Sequence, residues 1–306
     1  MDRRGFLKGS GAFAAMTTVL KAQGGEILEK KHSPYRWQEL TVDDFAAAVK
    51  ATDGVCVVPL GCLEKHGQHL PLGTDSIVSL EVCERASRME PMMVFPFSPF
   101  GHITEARHML GTVALRSDTL MCLLRDLCEE LSRNGFKRIL LMNGHGGNYY
   151  WIRHFLCETQ RSPHDYVVWV MEKAYWAPGQ QAEFLRKIGR EKMPDFGHAD
   201  IVETSEMLAI DRSLVKMDRV IVEDTKSLGR MKQYRPLGWE TALDWYADRP
   251  HHIAGDPTGA NAELGEWLLD TWASNVSRGV RLIKEDMVTP ALFAEFYAAS
   301  EHPGTR

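Results

Sequence analysis

Residues 55–75 read VCVVPLGCLEKHGQHLPLGTD. The first six, Val55 to Leu60, form a continuous apolar run of strand length, which is typical of a strand buried on both faces of a parallel sheet. A loop interrupted by glycines follows, and its Glu64, His66 and Asp75 offer oxygen, nitrogen and oxygen donors to a divalent metal. The stretch therefore predicts an α/β fold with a metal-binding loop at the end of a buried strand.

The rest of the chain alternates between short apolar runs and segments of helical periodicity. Further strands are predicted at 92–97, 138–142, 166–171 and, as a short addition, 220–222. Helices are predicted at 75–88, 119–133, 148–160, 202–210 and 261–275. Buried strands separated by helices favour a mostly parallel central sheet covered on both faces. We therefore expect a three-layer α-β-α sandwich that forms one domain over 35–306, preceded by a loose segment at 23–34.

A second donor motif, Asn143-Gly-His145-Gly-Gly-Asn148, follows the predicted strand that ends at Met142. Because sites in parallel sheets lie at the carboxyl ends of strands, this motif and the first loop are expected at the same rim. His145 is a candidate metal ligand, while Asn143 and Asn148 are expected to brace the loop. Two alternatives stay open, a structural histidine and a phosphate-binding loop, although the Lys-Ser/Thr of a P-loop is missing.

The segment from His198 to Ser205 supplies a third group of polar side chains at the start of a predicted helix. Glu203 is a candidate ligand of a second metal, and His198 would then be free to transfer protons. The alternative is a capping arrangement, with Glu203 near the helix N-terminus and Thr204-Ser205 satisfying backbone donors. Asp200 is a further candidate for contacting a ligand or the substrate. Secondary candidates for orienting a ligand or the substrate are His69, Glu105, His108 and the loop residue Gly146.

The amino terminus and the composition bear on location and partners. Arg3-Arg4, followed by a weakly apolar stretch to Leu20, resembles a twin-arginine export signal over 1–22, so we expect a periplasmic or extracellular protein without a stable membrane span. A flexible basic tail is the alternative. The net charge of −5 gives no support to nucleic-acid binding. Cys62 lies inside the ligand loop, where a small packing residue is the favoured interpretation.

Together, these motifs resemble the creatininase (creatinine amidohydrolase) family. The resemblance rests on 59–75, on Gly111-Thr112, on 143–148, on 198–205 and on Gly255-Asp256-Pro257. It implies a three-layer α/β enzyme, often a homo-oligomer such as a hexamer, that uses two zinc, manganese or iron ions per chain. It also implies that the metal ligands are Glu64, His66, Asp75 and His145, with Asp75 bridging the two metals.

Several positions depart from the family pattern. Creatininase has Tyr and Glu at the places of Gly146 and Gly147, and that Glu binds the second metal; we expect Glu203 to replace it. Where the family often has His-Ala-Gly-Glu, this chain has His198-Ala199-Asp200-Ile201, and Asp200 is expected to take part of the role of that Glu. Where the family has Glu-His before Gly-Thr, this chain has Glu105-Ala106. These departures argue against creatinine itself as the substrate.

The sequence as a whole predicts an exported metal-dependent hydrolase that cleaves a C–N bond of a cyclic amide or related small molecule. Two alternatives remain, a hydrolase of a ring C–C bond in an oxidised cyclitol or sugar, and a periplasmic binding protein without catalysis.

Overall fold

Four strands form the central sheet of the computed structural model, which describes residues 32–172, 176–193 and 197–304. They are β1 (Val55–Leu60), β2 (Met93–Val94), β3 (Arg138–Asn143) and β4 (Val167–Glu172). All pairs are parallel and the order is β2-β1-β3-β4. The predicted export signal at 1–22 lies outside the described residues, as does the loose segment up to residue 31.

Helices occupy most of the chain between and after the strands. They are α1 (Val42–Ala51), α2 (Thr74–Met89), α3 (Ser117–Arg133), α4 (Tyr149–Thr159), α5 (Gln180–Lys187), α6 (Ile201–Asp211), α7 (Asp244–Asp248), α8 (Ala262–Glu285) and α9 (Val288–Glu301). Among the described residues, none of these helices has the length and apolar character that crossing a membrane requires.

Each face of the sheet is covered by its own group of helices. On β1, Val55 and Val57 pack into a core with α2, α6 and α8, while Cys56 and Val58 pack into another core with α1, α3 and α4. All six residues of β1 are buried, as an apolar run without alternation predicts. The predicted three-layer sandwich with a parallel sheet is confirmed.

Two strand predictions differ from the structure. Residues 220–222 form no strand, because Ile221 and Val222 lie on the surface without a partner strand and the chain makes short 3₁₀ turns there. Regular pairing in β2 stops at Val94, although Phe95 N still donates to Val57 O at 2.9 Å. Pro96 has no N–H to continue the ladder.

Helices α6 and α8 approach each other closely at Gly265. A Cβ atom on Gly265 would lie 1.9 Å from the carbonyl oxygen of Ser205 and 2.9 Å from Cβ of Ala209. Gly279, on the same helix, has no atom within 4 Å of such a Cβ. Of these two glycines, only Gly265 must lack a side chain for α8 to contact α6 closely.

We expect Gly265→Ala to lower the free energy of unfolding by about 1–3 kcal/mol, because overpacking against a backbone carbonyl outweighs the gain in helix propensity. The matched variant Gly279→Ala should raise it by up to about 1 kcal/mol. Urea denaturation of both variants measures the difference. A Gly265→Ala protein as stable as the parent would contradict the close approach of the helices.

Candidate metal centre

The loops after β1 and β3 meet because these strands are neighbours in register, with Leu60 opposite Asn143. Gly144 N donates to Leu60 O at 2.8 Å, which ties the two loops together. A Cβ atom on Gly144 would lie 1.9 Å from Oγ of Ser79 on α2, so only glycine fits. The predicted meeting of the two motifs at one rim of the sheet is confirmed.

Four buried side chains surround one point beneath this rim, and we call Cys62, Glu64, Asp75 and His145 the inner cluster. Nδ1 of His145 lies 2.9 Å from Oε1 of Glu64 and 3.0 Å from Oδ2 of Asp75. Sγ of Cys62 lies 3.3 Å and 3.2 Å from the same two oxygens. All four donors are therefore close enough to share one cation.

The outer cluster, which comprises His66, His198 and Glu203, lies on the other side of Asp75. Nε2 of His66 is 3.2 Å from Oδ1 of Asp75 and 3.7 Å from Oε2 of Glu203. The rings of His66 and His198 lie 4.4 Å apart. Asp75 therefore presents one carboxylate oxygen to each cluster, which is the arrangement that a bridging ligand requires.

Hydrogen bonds to backbone carbonyls orient the two imidazoles that face Asp75. Nε2 of His145 donates to His102 O at 3.0 Å, and Nδ1 of His66 donates to Glu64 O at 3.2 Å. The remaining nitrogen of each ring then faces the carboxylates as a potential donor to a metal. Such supporting hydrogen bonds are usual for histidine ligands in metal sites.

The charges of the clusters fit a cation. Burial by itself raises the pKa of Asp75, but attraction to His66 and hydrogen bonds from His145 and His66 hold that pKa well below its usual value. Burial likewise opposes the charge of His66, yet Asp75 and Glu203 raise its pKa to about 10. Buried carboxylates thus draw positive charge to this point, and a divalent metal can supply it in place of protons.

His252 belongs to the site, although no sequence motif named it as a candidate. Trp245 Nε1, which can only donate, donates to Nδ1 of His252 at 2.8 Å. Nε2 of His252 therefore carries the proton and donates to Oε2 of Glu64 at 2.5 Å. His252 has a φ of 56°, a left-handed conformation that favours glycine, so its position depends on these tertiary contacts.

Several secondary candidates brace the site. Asn143 accepts from His145 N at 3.2 Å and donates to Glu172 at 2.7 Å. Oδ1 of Asn148 accepts from His102 N at 2.9 Å, as expected of a bracing residue. Nε2 of His69 lies 2.9 Å from Oγ1 of Thr204, behind the outer cluster.

Asp200 caps helix α6, a role that the alternative interpretation of this segment gave to Thr204 and Ser205. Its Oδ1 accepts from Val202 N at 2.9 Å and from Glu203 N at 3.3 Å. Burial, and secondarily the charge of Glu203, raise the pKa of Asp200 to about 7. Oε2 of Glu203 accepts from Ala199 N at 2.6 Å and lies 3.7 Å from Nε2 of His66, so this carboxylate also braces the start of the helix.

Glu105 and His108 belong to neither cluster. They line a separate cleft with His102, Trp245 and Tyr246, and Nε2 of His108 lies 3.0 Å from Pro250 O. The sequence could not show this, because the only regular element described between 98 and 116 is a short 3₁₀ helix, Thr104–Ala106, which leaves no periodicity to predict the direction of its side chains.

A cavity of about 270 Å³ opens beside the clusters. Its lining includes Trp176, Trp272 and the following residues of the predicted motifs: Asn143, Gly144, His145, Gly146, Asp200 and Glu203. Glu172 adds a further carboxylate. This space can hold a small organic molecule next to the metal-ligating side chains.

Gly147 permits the observed position of the His145 ring. A Cβ atom on Gly147 would lie 2.5 Å from Nε2 of His145 and 2.4 Å from His102 O, whereas one on Gly146 would meet nothing within 4 Å. We expect Gly147→Ala to weaken metal binding by about 10–100-fold, because it disturbs the hydrogen bond that orients this ligand. Titration with a chelator that competes for zinc measures the affinity. Gly146→Ala is the matched control, and equal affinities in the two variants would contradict the orienting role.

Comparison with known proteins agrees with this geometry. The creatinine amidohydrolase family model matches residues 38–280. Creatinine amidohydrolase of Pseudomonas putida is 31% identical over 195 residues, which cover 60% of this chain and 74% of that protein. The 3-dehydro-scyllo-inosose hydrolase of Thermotoga maritima is 24% identical over 273 residues, which cover 81% and 83%. The solved structure "Creatininase Mn" has a TM-score of 0.70 at 26% identity, and the match covers 81% of this chain and 97% of that chain.

The family model spans most of this chain, and the parallel sheet carries the expected ligand loops. This chain therefore belongs to the creatininase family of hydrolases.

Proposed function

We propose that this chain is an exported metal-dependent hydrolase that cleaves a C–N bond in a cyclic amide or related small molecule. The observation that carries the proposal is the Asp75 carboxylate, whose two oxygens face two separate groups of metal-ligating side chains. The family relationship to creatinine amidohydrolase supports the amide bond as the target.

The side chains divide into two ligand sets and a proton donor. Glu64, Asp75 and His145 would hold a cation at the inner cluster, and His66, Asp75 and Glu203 would hold one at the outer cluster. Bound there, zinc, manganese or iron(II) supplies an activated water and a Lewis acid. Neither set requires a carboxylate at Gly147, because Glu203 reaches the outer cluster from the first turn of helix α6.

His198 is the residue to which we assign protonation of the leaving nitrogen. Its Nε2 donates to Lys65 O at 2.8 Å, so this atom carries a proton in the resting protein. The centroid of its ring lies 4.4 Å from that of the proposed ligand His66, within reach of a substrate held at the outer cluster. Burial lowers the pKa of His198 and favours the neutral ring, so Nδ1 would accept the proton released by the attacking water and pass it to the leaving nitrogen, while Nε2 keeps its hydrogen bond to Lys65 O.

The cavity favours a small substrate that is neutral or positively charged. Its described lining includes the carboxylates of Glu172, Asp200 and Glu203 together with two tryptophan rings. A volume of about 270 Å³ is at the low end for ligand pockets. These features fit a compact cyclic amide, whose ring would lie against Trp176 or Trp272.

Hydrolysis of a ring C–C bond in an oxidised cyclitol is the second candidate, and the relationship to 3-dehydro-scyllo-inosose hydrolase favours it. It would use the same ligands, so the metal centre alone does not separate the two reactions. A panel of cyclic amides, short peptides and oxidised cyclitols, tested with zinc- and manganese-loaded protein, distinguishes them.

We expect Glu203→Gln to lower turnover of the preferred substrate by at least about 100-fold and to remove one of two metal equivalents, because an amide replaces an anionic ligand. Metal analysis and kinetics on the same preparation measure both quantities. Glu129→Gln is the matched control, since Glu129 lies exposed on helix α3 and belongs to neither cluster. Full activity and full metal content in Glu203→Gln would disprove the proposed ligand set.

Export is proposed from the pattern of the first residues, in which Arg3-Arg4 precede a weakly apolar stretch. The double variant Arg3→Lys, Arg4→Lys of the full chain should remain in the cytoplasm, because twin-arginine recognition needs the paired guanidinium groups. Fractionation of a bacterial host that exports the unaltered chain tests this, with Lys8→Arg as the control. Equal export of the double variant would rule out this route.

A further inference from the structure

Cys62 is a buried thiol at the centre of the ligand loop that the proposed reaction does not use. Its side chain is fully buried, and its Sγ lies 3.3 Å from Oε1 of Glu64 and 3.2 Å from Oδ2 of Asp75. These are the same two oxygens that contact Nδ1 of His145. The thiol therefore faces the point where the inner cluster would hold a cation.

We propose that Cys62 is a ligand of the inner metal position and that its sulfur makes this position select zinc or another thiophilic metal over manganese. The proposal rests on the metal centre described under the proposed function and deepens it by assigning a fourth donor. The inner position would then have one sulfur, one nitrogen and two oxygen donors, from Cys62, His145, Glu64 and Asp75.

The separations within the inner cluster match a tetrahedral site. Ligands bound to zinc at about 2.0–2.3 Å with tetrahedral angles lie about 3.3–3.8 Å from one another. The four separations that join sulfur or nitrogen to the two carboxylate oxygens are 2.9, 3.0, 3.2 and 3.3 Å. These four distances correspond to four of the six edges of a tetrahedron that is slightly smaller than ideal. The other two, between sulfur and nitrogen and between the two oxygens, are under 4.8 Å.

Packing alone does not explain the environment of this sulfur. The buried thiols of Cys83 and Cys128 belong to the two apolar cores on either side of the sheet. Cys62 also packs against Ile103 and Ala106, but its sulfur additionally contacts two carboxylates, although a thiol has one proton and donates weakly. A cation between the sulfur and the oxygens satisfies all of these atoms at once.

The two metal positions would differ in chemical character. Thiolate ligands favour zinc and other soft or borderline metals, whereas carboxylate and imidazole ligands also accept manganese. The outer position has His66, Asp75 and Glu203 as its donors and no sulfur among the described residues that face it. We therefore expect the inner position to be the selective one and the outer position to accept either metal.

Cobalt(II) reports the sulfur ligand directly, because a thiolate–cobalt bond produces an intense charge-transfer absorption in the near ultraviolet. The full-length protein, stripped of metal and titrated with cobalt, should show this band together with weaker visible bands. Cys62→Ser should lose the charge-transfer band and still bind cobalt through the remaining donors. The control carries Cys122→Ser and Cys157→Ser, two exposed cysteines, and should keep the full band.

Metal competition gives a second readout that does not depend on activity. With equimolar zinc and manganese, we expect Cys62→Ser to lower the preference of one site for zinc by at least about tenfold relative to the unaltered protein and the control. Circular dichroism establishes that the serine variant is folded. If that variant does not fold, the spectra of the unaltered protein and the control still decide, because only a sulfur ligand produces the band.

The outcomes separate this inference from the proposed function. A protein that binds cobalt and hydrolyses its substrate without a thiolate band overturns the role of Cys62 and leaves the hydrolase intact. A thiolate band that survives in Cys62→Ser also overturns it. A protein that binds no cobalt and hydrolyses nothing in the panel overturns the metal centre itself, and the sulfur ligand with it.

Discussion

The buried carboxylate of Asp75 is the group around which the site is arranged. It lies in the first turn of helix α2, where the positive end of the helix dipole favours a negative charge. One of its oxygens faces His66 and the other faces His145. Because an unpaired buried carboxylate is costly, these side chains must remain close to it, and the loops that carry them are held in place as a result.

Backbone groups set the direction of the imidazoles. The carbonyls of His102 and Glu64 accept hydrogen bonds from His145 and His66, and each bond decides which ring nitrogen is left to face the carboxylates. The carbonyl of Lys65 holds the ring of His198 in the same way. The loops are therefore more than connections between strands. Their backbone conformation determines the donor set, which explains why a methyl group at Gly144 or Gly147 would disturb the site from within the chain.

Much of the fold and the centre of the site could be predicted from local sequence. The apolar run at β1 and the helical periodicity of α2, α3 and α6 were sufficient for a parallel, three-layer sandwich, because burial on both faces leaves a direct mark on composition. The ligand types and the rule that parallel strands direct their loops to one rim were sufficient to group Glu64, His66, Asp75 and His145. The surface strand at 220–222 was wrong because residue propensity does not supply a partner strand.

Residue types and their order along the chain determined the class of fold and the kind of chemistry, since donors to a metal and apolar runs are properties of the residues themselves. Only the tertiary structure decided which donors share a point. It placed His252 beside Glu64, which is 188 positions away along the chain, and it placed Glu105 and His108 outside both clusters. It also placed the sulfur of Cys62, which the sequence predicted only as a packing residue, next to two carboxylates. Which side chains lie close together depends on the paths of the loops and on contacts between distant segments, and no periodicity in the sequence predicts these.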